Sequence, residues 1–210
     1  MDIKVKRSIE LFFLFVVLPA SLSISYPIWI KILVVLSSFI YVLYLLKKEY
    51  DFGFKIPSKH SAIAFRNRIL VNFSIILILT VVLVYFSNPD MLFSVMLKKT
   101  TLWAVILLVY TLFSVLPQEL IYRTFFFHRY QLLFKNKSMF IFLNATLFSL
   151  AHIFFRNTLV LILTFLGGLL FAFTYHKSKS TLLVSIEHAI YGNWLFTVGM
   201  GEMLAFPGAD

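Results

Sequence analysis

Glu119 and Arg123 stand one helical turn apart in "LPQELIYRTFFFHRY", residues 116–130, a stretch that is otherwise largely apolar. Asn144, Phe148 and His152 recur every four residues in "NATLFSLAHIFF", and Glu187 and His188 sit in the middle of "LVSIEHAIYGNW". A carboxylate and an imidazole that share a water can take its proton, while a second imidazole stabilises the oxyanion formed as that water attacks a carbonyl. The same Glu119, His152 and His188 could instead hold a zinc ion, as two histidines and one carboxylate do in some hydrolases. Glu119 and Arg123 could also be a buried ion pair that only locks helices together, or Glu119 and Glu187 could carry protons. H-E-x-x-H, G-x-S-x-G and a pair of membrane aspartates are all missing.

These residues lie in a strongly apolar chain. Hydrophobic residues make up 60% of it and charged residues 13%, which predicts a polytopic membrane protein rather than a soluble domain. Apolar runs near residues 9–26, 27–46, 70–86, 102–119 and beyond, 140–155, 159–175 and 181–198 predict an all-α bundle of about seven crossings of a roughly 30 Å hydrocarbon core. A charged group at mid-membrane costs about 2.5–3.5 kcal/mol on insertion scales, so it faces the bundle interior or a wet cavity. Residues 102–134 would form a helix of roughly 50 Å, longer than one crossing. We read it as one long tilted helix kinked at Pro117, because a further crossing would divide the basic residues between both sides.

The net charge of +10 reads as topology. Lys4, Lys6 and Arg7, then Lys47, Lys48, Lys55, Lys59, Arg66 and Arg68, then Arg129, Lys135 and Lys137, and finally Lys177 and Lys179 all fall on one side of a seven-span chain. The positive-inside rule makes that side, and the N-terminus, cytoplasmic. The partner implied is the lipid bilayer and not nucleic acid. The first run reads as a retained helix rather than a signal peptide. Zero cysteines exclude disulfides, thiolate zinc sites and a cysteine nucleophile. The organisation predicted is a transmembrane hairpin over 1–46, a basic cytoplasmic loop over 47–68 broken by Gly53 and Pro57, and a five-helix block over 69–210 that holds the chemistry. Residues 196–210 are expected to leave the membrane on the outer side.

The ordered set of motifs resembles the CAAX-protease and bacteriocin-processing (CPBP, Abi) family of intramembrane endopeptidases. "QELIYR", residues 118–123, is similar to its E-E-x-x-x-R, "FSLAH", residues 148–152, matches its F-x-x-x-H, and "HAIYGN", residues 188–193, is similar to its H-x-x-x-N. The resemblance implies a peptidase of the bacterial inner membrane acting on a peptide or membrane-anchored protein. By that resemblance His152 belongs to the water activator, His188 is an oxyanion donor and Arg123 orients Glu119. Bacterial members of the family are linked to bacteriocin maturation, immunity and protein processing.

Two positions depart from the pattern. Gln118 stands where the family has its first glutamate, so Glu119 is expected to pair with His152 as the activator; Glu187 either hydrogen-bonds a neighbouring helix or lines a wet cavity, or else supplies the carboxylate that Gln118 lacks. Asn193 falls one residue late and Gly192 takes the family position; a π-bulge would bring Asn193 into register, and without one it does not reach. No cofactor is expected, with zinc the open alternative. The rival reading is a non-catalytic relative, an immunity factor or scaffold.

Overall fold

The computed structural model describes residues 2–50 and 59–201, and among these every regular element is helical. In chain order they are α1 over residues 3–22, α2 (Ile28–Tyr50), α3 (Lys59–Ser87), the short α4 (Ser94–Lys98), α5 (Thr100–Leu133), α6 (Lys137–Leu150), α7 (Thr158–Ser178) and α8 (Thr181–Val198). The chain is an integral membrane protein of the all-α class. Among the described residues five helices are long and apolar enough to cross a membrane: α2, residues 62–87 of α3, α5, residues 137–155 and α7. The other two predicted crossings differ for physical reasons. Lys4, Lys6, Arg7 and Glu10 occupy the first turns of α1. α8 carries Glu187, His188 and Asn193 and has nine of its 18 residues buried, so neighbouring helices shield much of its surface in place of lipid.

Helix starts follow local chemistry. Asn136 accepts hydrogen bonds from the backbone N–H of Ser138 and Met139, and Asn157 from Leu159 and Val160. Each satisfies donors that a helix N-terminus leaves open. Ser180 does the same for α8 through Leu183 N–H, and Gly199, at φ +109°, ends that helix. The connection predicted over 47–68 is shorter than expected, since α2 continues through Lys47 and Lys48 to Tyr50 and α3 begins at Lys59. Gly53 and Pro57 lie outside the described residues, as does the tail from residue 202.

The N-terminal pair packs onto the later helices as part of one core. Phe15 of α1 meets Tyr122, Phe126 and Tyr130 of α5 edge to face, and Val42, Leu45 and Leu46 of α2 are buried in the same cluster. At its basic end Arg129 joins both helices to α5, donating to Glu10 Oε1 at 2.8 Å and Oε2 at 2.9 Å and to Glu49. Tyr130 O–H adds a bond to Glu10 at 2.8 Å.

α5 is one continuous helix, as the charge argument requires. It passes Pro117 by widening: residues Tyr110–Val115 and Leu120–Phe125 are π-helical on either side of the single α-turn Leu116–Glu119. Pro117 has no N–H to return to the carbonyl four residues back and its ring crowds that carbonyl, which a wider turn accommodates. α6 and α7 approach closely at Gly168, where a Cβ would stand 3.1 Å from Ala145 Cα.

Candidate active site

The widened middle of α5 turns Glu119 and Arg123 inward, and both are fully buried. Glu119 Oε1 accepts a hydrogen bond from His188 Nδ1–H of α8 at 2.7 Å. Its Oε2 lies 3.4 Å from Arg123 Nε, an ion pair without hydrogen-bond alignment. Arg123 is fixed from the other side by Asn144 of α6, whose Oδ1 accepts from Nη1 at 2.9 Å while its Nδ2 donates to the Tyr122 carbonyl at 2.7 Å. The guanidinium also lies over the Phe148 ring, 4.6 Å from its centroid. Glu119 therefore serves His188 and not His152. The expected Glu119–His152 pairing is corrected: α5 presents Glu119 to α8, and the α6 residue in that network is Asn144.

His152 sits just past the last turn of α6. Its Nδ1–H donates to the Phe148 carbonyl at 2.8 Å, one of the acceptors that a helix C-terminus leaves open. A carbonyl can only accept, so the neutral ring carries its proton on Nδ1 and leaves the lone pair on Nε2. His188 is held by stacking on Phe171, with centroids 4.4 Å apart, and both histidines touch the Phe148 ring, at 4.9 Å for His152 and 5.7 Å for His188.

His152 and His188 line one cavity of about 500 Å³, and Gln118 shares its wall. Gln118 Nε2 donates to Ser114 Oγ at 2.7 Å, while its Oε1 has no hydrogen-bond partner among the described residues. Glu119 does not reach the cavity itself and acts on it only through His188. No grouping of three His, Cys, Asp or Glu side chains among the described residues could hold a metal ion, so the alternative zinc set of Glu119, His152 and His188 is not assembled.

Like Glu119 and Arg123, the predicted residues Glu187 and Asn193 fall outside the cavity wall. Glu187 is fully buried and accepts hydrogen bonds from Thr174 Oγ1 of α7 and from Tyr191 O–H, the latter at 3.1 Å. Arg68 of α3 donates to the same Thr174 oxygen at 2.8 Å. Glu187 thus ties α3, α7 and α8 together behind Tyr191, which is the helix-bonding role rather than that of a second carboxylate in the cavity wall. We expect Glu187→Gln to change kcat/KM by less than about tenfold, under about 1.4 kcal/mol of transition-state stabilisation, in an assay on detergent-purified protein. A complete loss of turnover in a folded variant would return Glu187 to the site.

Asn193 donates from Nδ2 to Thr111 Oγ1 at 3.0 Å. α8 runs as a regular α-helix through this region, without the bulge that would realign Asn193. The π-helical turns lie in α1 and α5 instead.

Sequence reasoning missed Tyr110 and Ser114. With Gln118 they recur every four residues along α5, and all three line the cavity. The Tyr110 hydroxyl lies 3.1 Å from His188 Nε2, and a Cβ at Gly192 would overlap that same hydroxyl. The four-residue spacing back from Gln118 was visible in the sequence. The match between a tyrosine on one helix and a missing side chain on another was not.

Among known families, residues 100–194 match the model described as type II CAAX prenyl endopeptidase Rce1-like. The matched stretch spans all three motifs and every residue of the Glu119, Arg123, Asn144, His152 and His188 constellation. The resemblance to the CAAX-protease family is borne out over those residues. No curated protein and no solved structure gives a significant match to the chain.

Proposed function

We propose that the chain is an intramembrane endopeptidase that hydrolyses a peptide bond in a peptide or membrane-anchored protein, with the N-terminus and the basic end of the bundle on the cytoplasmic side of a bacterial inner membrane. The observation that carries this reading is that two differently prepared histidines share one cavity. The lone pair of His152 is free at Nε2, and His188 is held by Glu119 at Nδ1. No protein nucleophile of the G-x-S-x-G kind is needed, because water supplies the attacking oxygen.

The reaction follows from those positions. A water hydrogen-bonded to Gln118 Oε1 and His152 Nε2 gives its proton to His152 as its oxygen bonds to the scissile carbonyl carbon. His188, charge-matched by Glu119 and Arg123, donates from Nε2–H to the oxyanion. Collapse of the tetrahedral adduct breaks the C–N bond, and the proton on His152 passes to the leaving nitrogen, giving a carboxylic acid and an amine. Gln118 positions water here and takes no proton, which leaves His152 as the base.

The same Gln118 amide favours a second reading, a non-catalytic relative that kept the bundle and lost the carboxylate. Purified protein presented with a peptide library separates the two. We expect cleavage that survives chelator and rises at least about tenfold in Gln118→Glu, since a positioned base contributes about 10²–10⁴-fold. Cleavage by Gln118→Glu alone would support the inert relative, and loss in chelator would point to a metal.

A further inference from the structure

We propose that Tyr110 is a catalytic residue whose hydroxyl donates to the oxyanion beside His188, in the space that a side chain at position 192 would otherwise fill. The inference rests on the peptidase reading above and concerns the same cavity. Its geometric basis is a fit between three residues on two helices. Position 192 lies one turn beyond His188 on the same face of α8, where a side chain would look toward the group that His188 serves. Gly192 has none, and the place is taken from across the cavity: a Cβ built there would fall on the Tyr110 Oη, Cζ and Cε1 atoms. No glycine is needed for backbone conformation at this point, because α8 is regular and Gly192 is not among the residues of positive φ. What the missing side chain provides is room for a phenol.

The phenol is held in that room. Its ring meets Phe196 edge to face at 5.0 Å and His188 at 6.0 Å, and its oxygen lies 3.1 Å from His188 Nε2. Trp103 Nε1 donates to Thr197 Oγ1 at 3.0 Å two turns before Tyr110, fixing α5 against α8. When His188 carries a proton on both nitrogens, Nδ1–H donates to Glu119 and Nε2–H donates to the Tyr110 oxygen, so the tyrosine's own proton is left for the cavity. As water adds to the scissile carbonyl, the carbonyl π pair moves onto oxygen. His188 Nε2–H then turns from the Tyr110 oxygen to that oxyanion, Tyr110 O–H donates a second hydrogen bond to it, and neither gives up its proton. The pair returns to the carbon when the C–N bond breaks.

Kinetics on Tyr110→Phe, with a peptide cleaved by the wild type, test the assignment. Loss of one oxyanion donor typically lowers kcat by about 10²–10³-fold, and we expect a fall in that range with KM changed by only severalfold. A merely structural tyrosine predicts no rescue, so the decisive arm is the exchange of donors. Tyr110→Ala empties the space, and adding Gly192→Asn to it is expected to restore at least tenfold of the lost kcat, because an amide N–H then approaches from α8. Binding of a peptide aldehyde, whose hydrate mimics the tetrahedral adduct, is expected to weaken in Tyr110→Phe in parallel with kcat. Wild-type kcat and aldehyde affinity in Tyr110→Phe would overturn this inference and leave the peptidase reading standing. A wild-type protein that neither cleaves peptides nor binds the aldehyde would overturn both.

Discussion

Replacing His152 with alanine is expected to lower kcat by about 10²–10⁴-fold, the range that a positioned general base supplies. The side chain's one hydrogen bond is to the Phe148 carbonyl, its packing is against the Phe148 and Phe155 rings, and it borders a cavity, so truncation removes a proton acceptor and two ring contacts. The thermal midpoint in detergent should therefore move far less than the activity does. The vacated volume joins the cavity, and millimolar imidazole is expected to recover part of the rate. A His152→Ala protein with more than a tenth of wild-type kcat would remove His152 from the role of base and leave His188, backed by Glu119, as the remaining acceptor.

The second large effect is on stability. Arg123→Met leaves the Glu119 carboxylate fully buried beside a neutral thioether, and it strands the Asn144 amide oxygen that now accepts from Nη1. Removing one member of a buried ion pair typically costs about 3–5 kcal/mol, because the surviving charge stays desolvated. Adding Glu119→Gln to Arg123→Met should return part of that loss, since the double variant buries no unpaired charge. Thermal unfolding of the two single variants and the double in the same detergent gives the coupling energy. Strictly additive losses would show that Glu119 and Arg123, at 3.4 Å and without hydrogen-bond alignment, do not depend on each other.

Much of the architecture was legible because apolar length and positive charge act locally. Runs of apolar residues become helices wherever they occur, and the basic residues at the ends of α2, α5 and α7 gather at one end of the bundle around Arg129, Arg68 and Lys179. Glu119, Arg123, His152 and His188 stood out for a related reason, since each is costly to bury without purpose. What four-residue spacing cannot give is the neighbour a helix face will meet. That depends on helix rotation and contact distance, which are set by features such as the close approach of Gly168 to Ala145 and the widened turns of α5. Glu119 and His188 are 69 positions apart, and no local rule predicts that they meet. The two roles open to Glu187 could not be told apart on the same ground: it is adjacent to His188 in the chain, yet successive residues on a helix point about 100° apart.

The positions of the full charges have a further consequence. Glu119 and Arg123 lie one residue behind the cavity wall, and the described residues that form the wall include no aspartate, glutamate, lysine or arginine. A lysine or aspartate carried in by a substrate would lose its water and meet no counter-ion, a penalty of several kcal/mol. An apolar side chain would meet leucine and phenylalanine and pay none of it. Under the proposed peptidase reading, selection would therefore work by exclusion: the residues flanking a cleavable bond would have to be at home in lipid, and polar chains passing along the membrane surface would be left uncut.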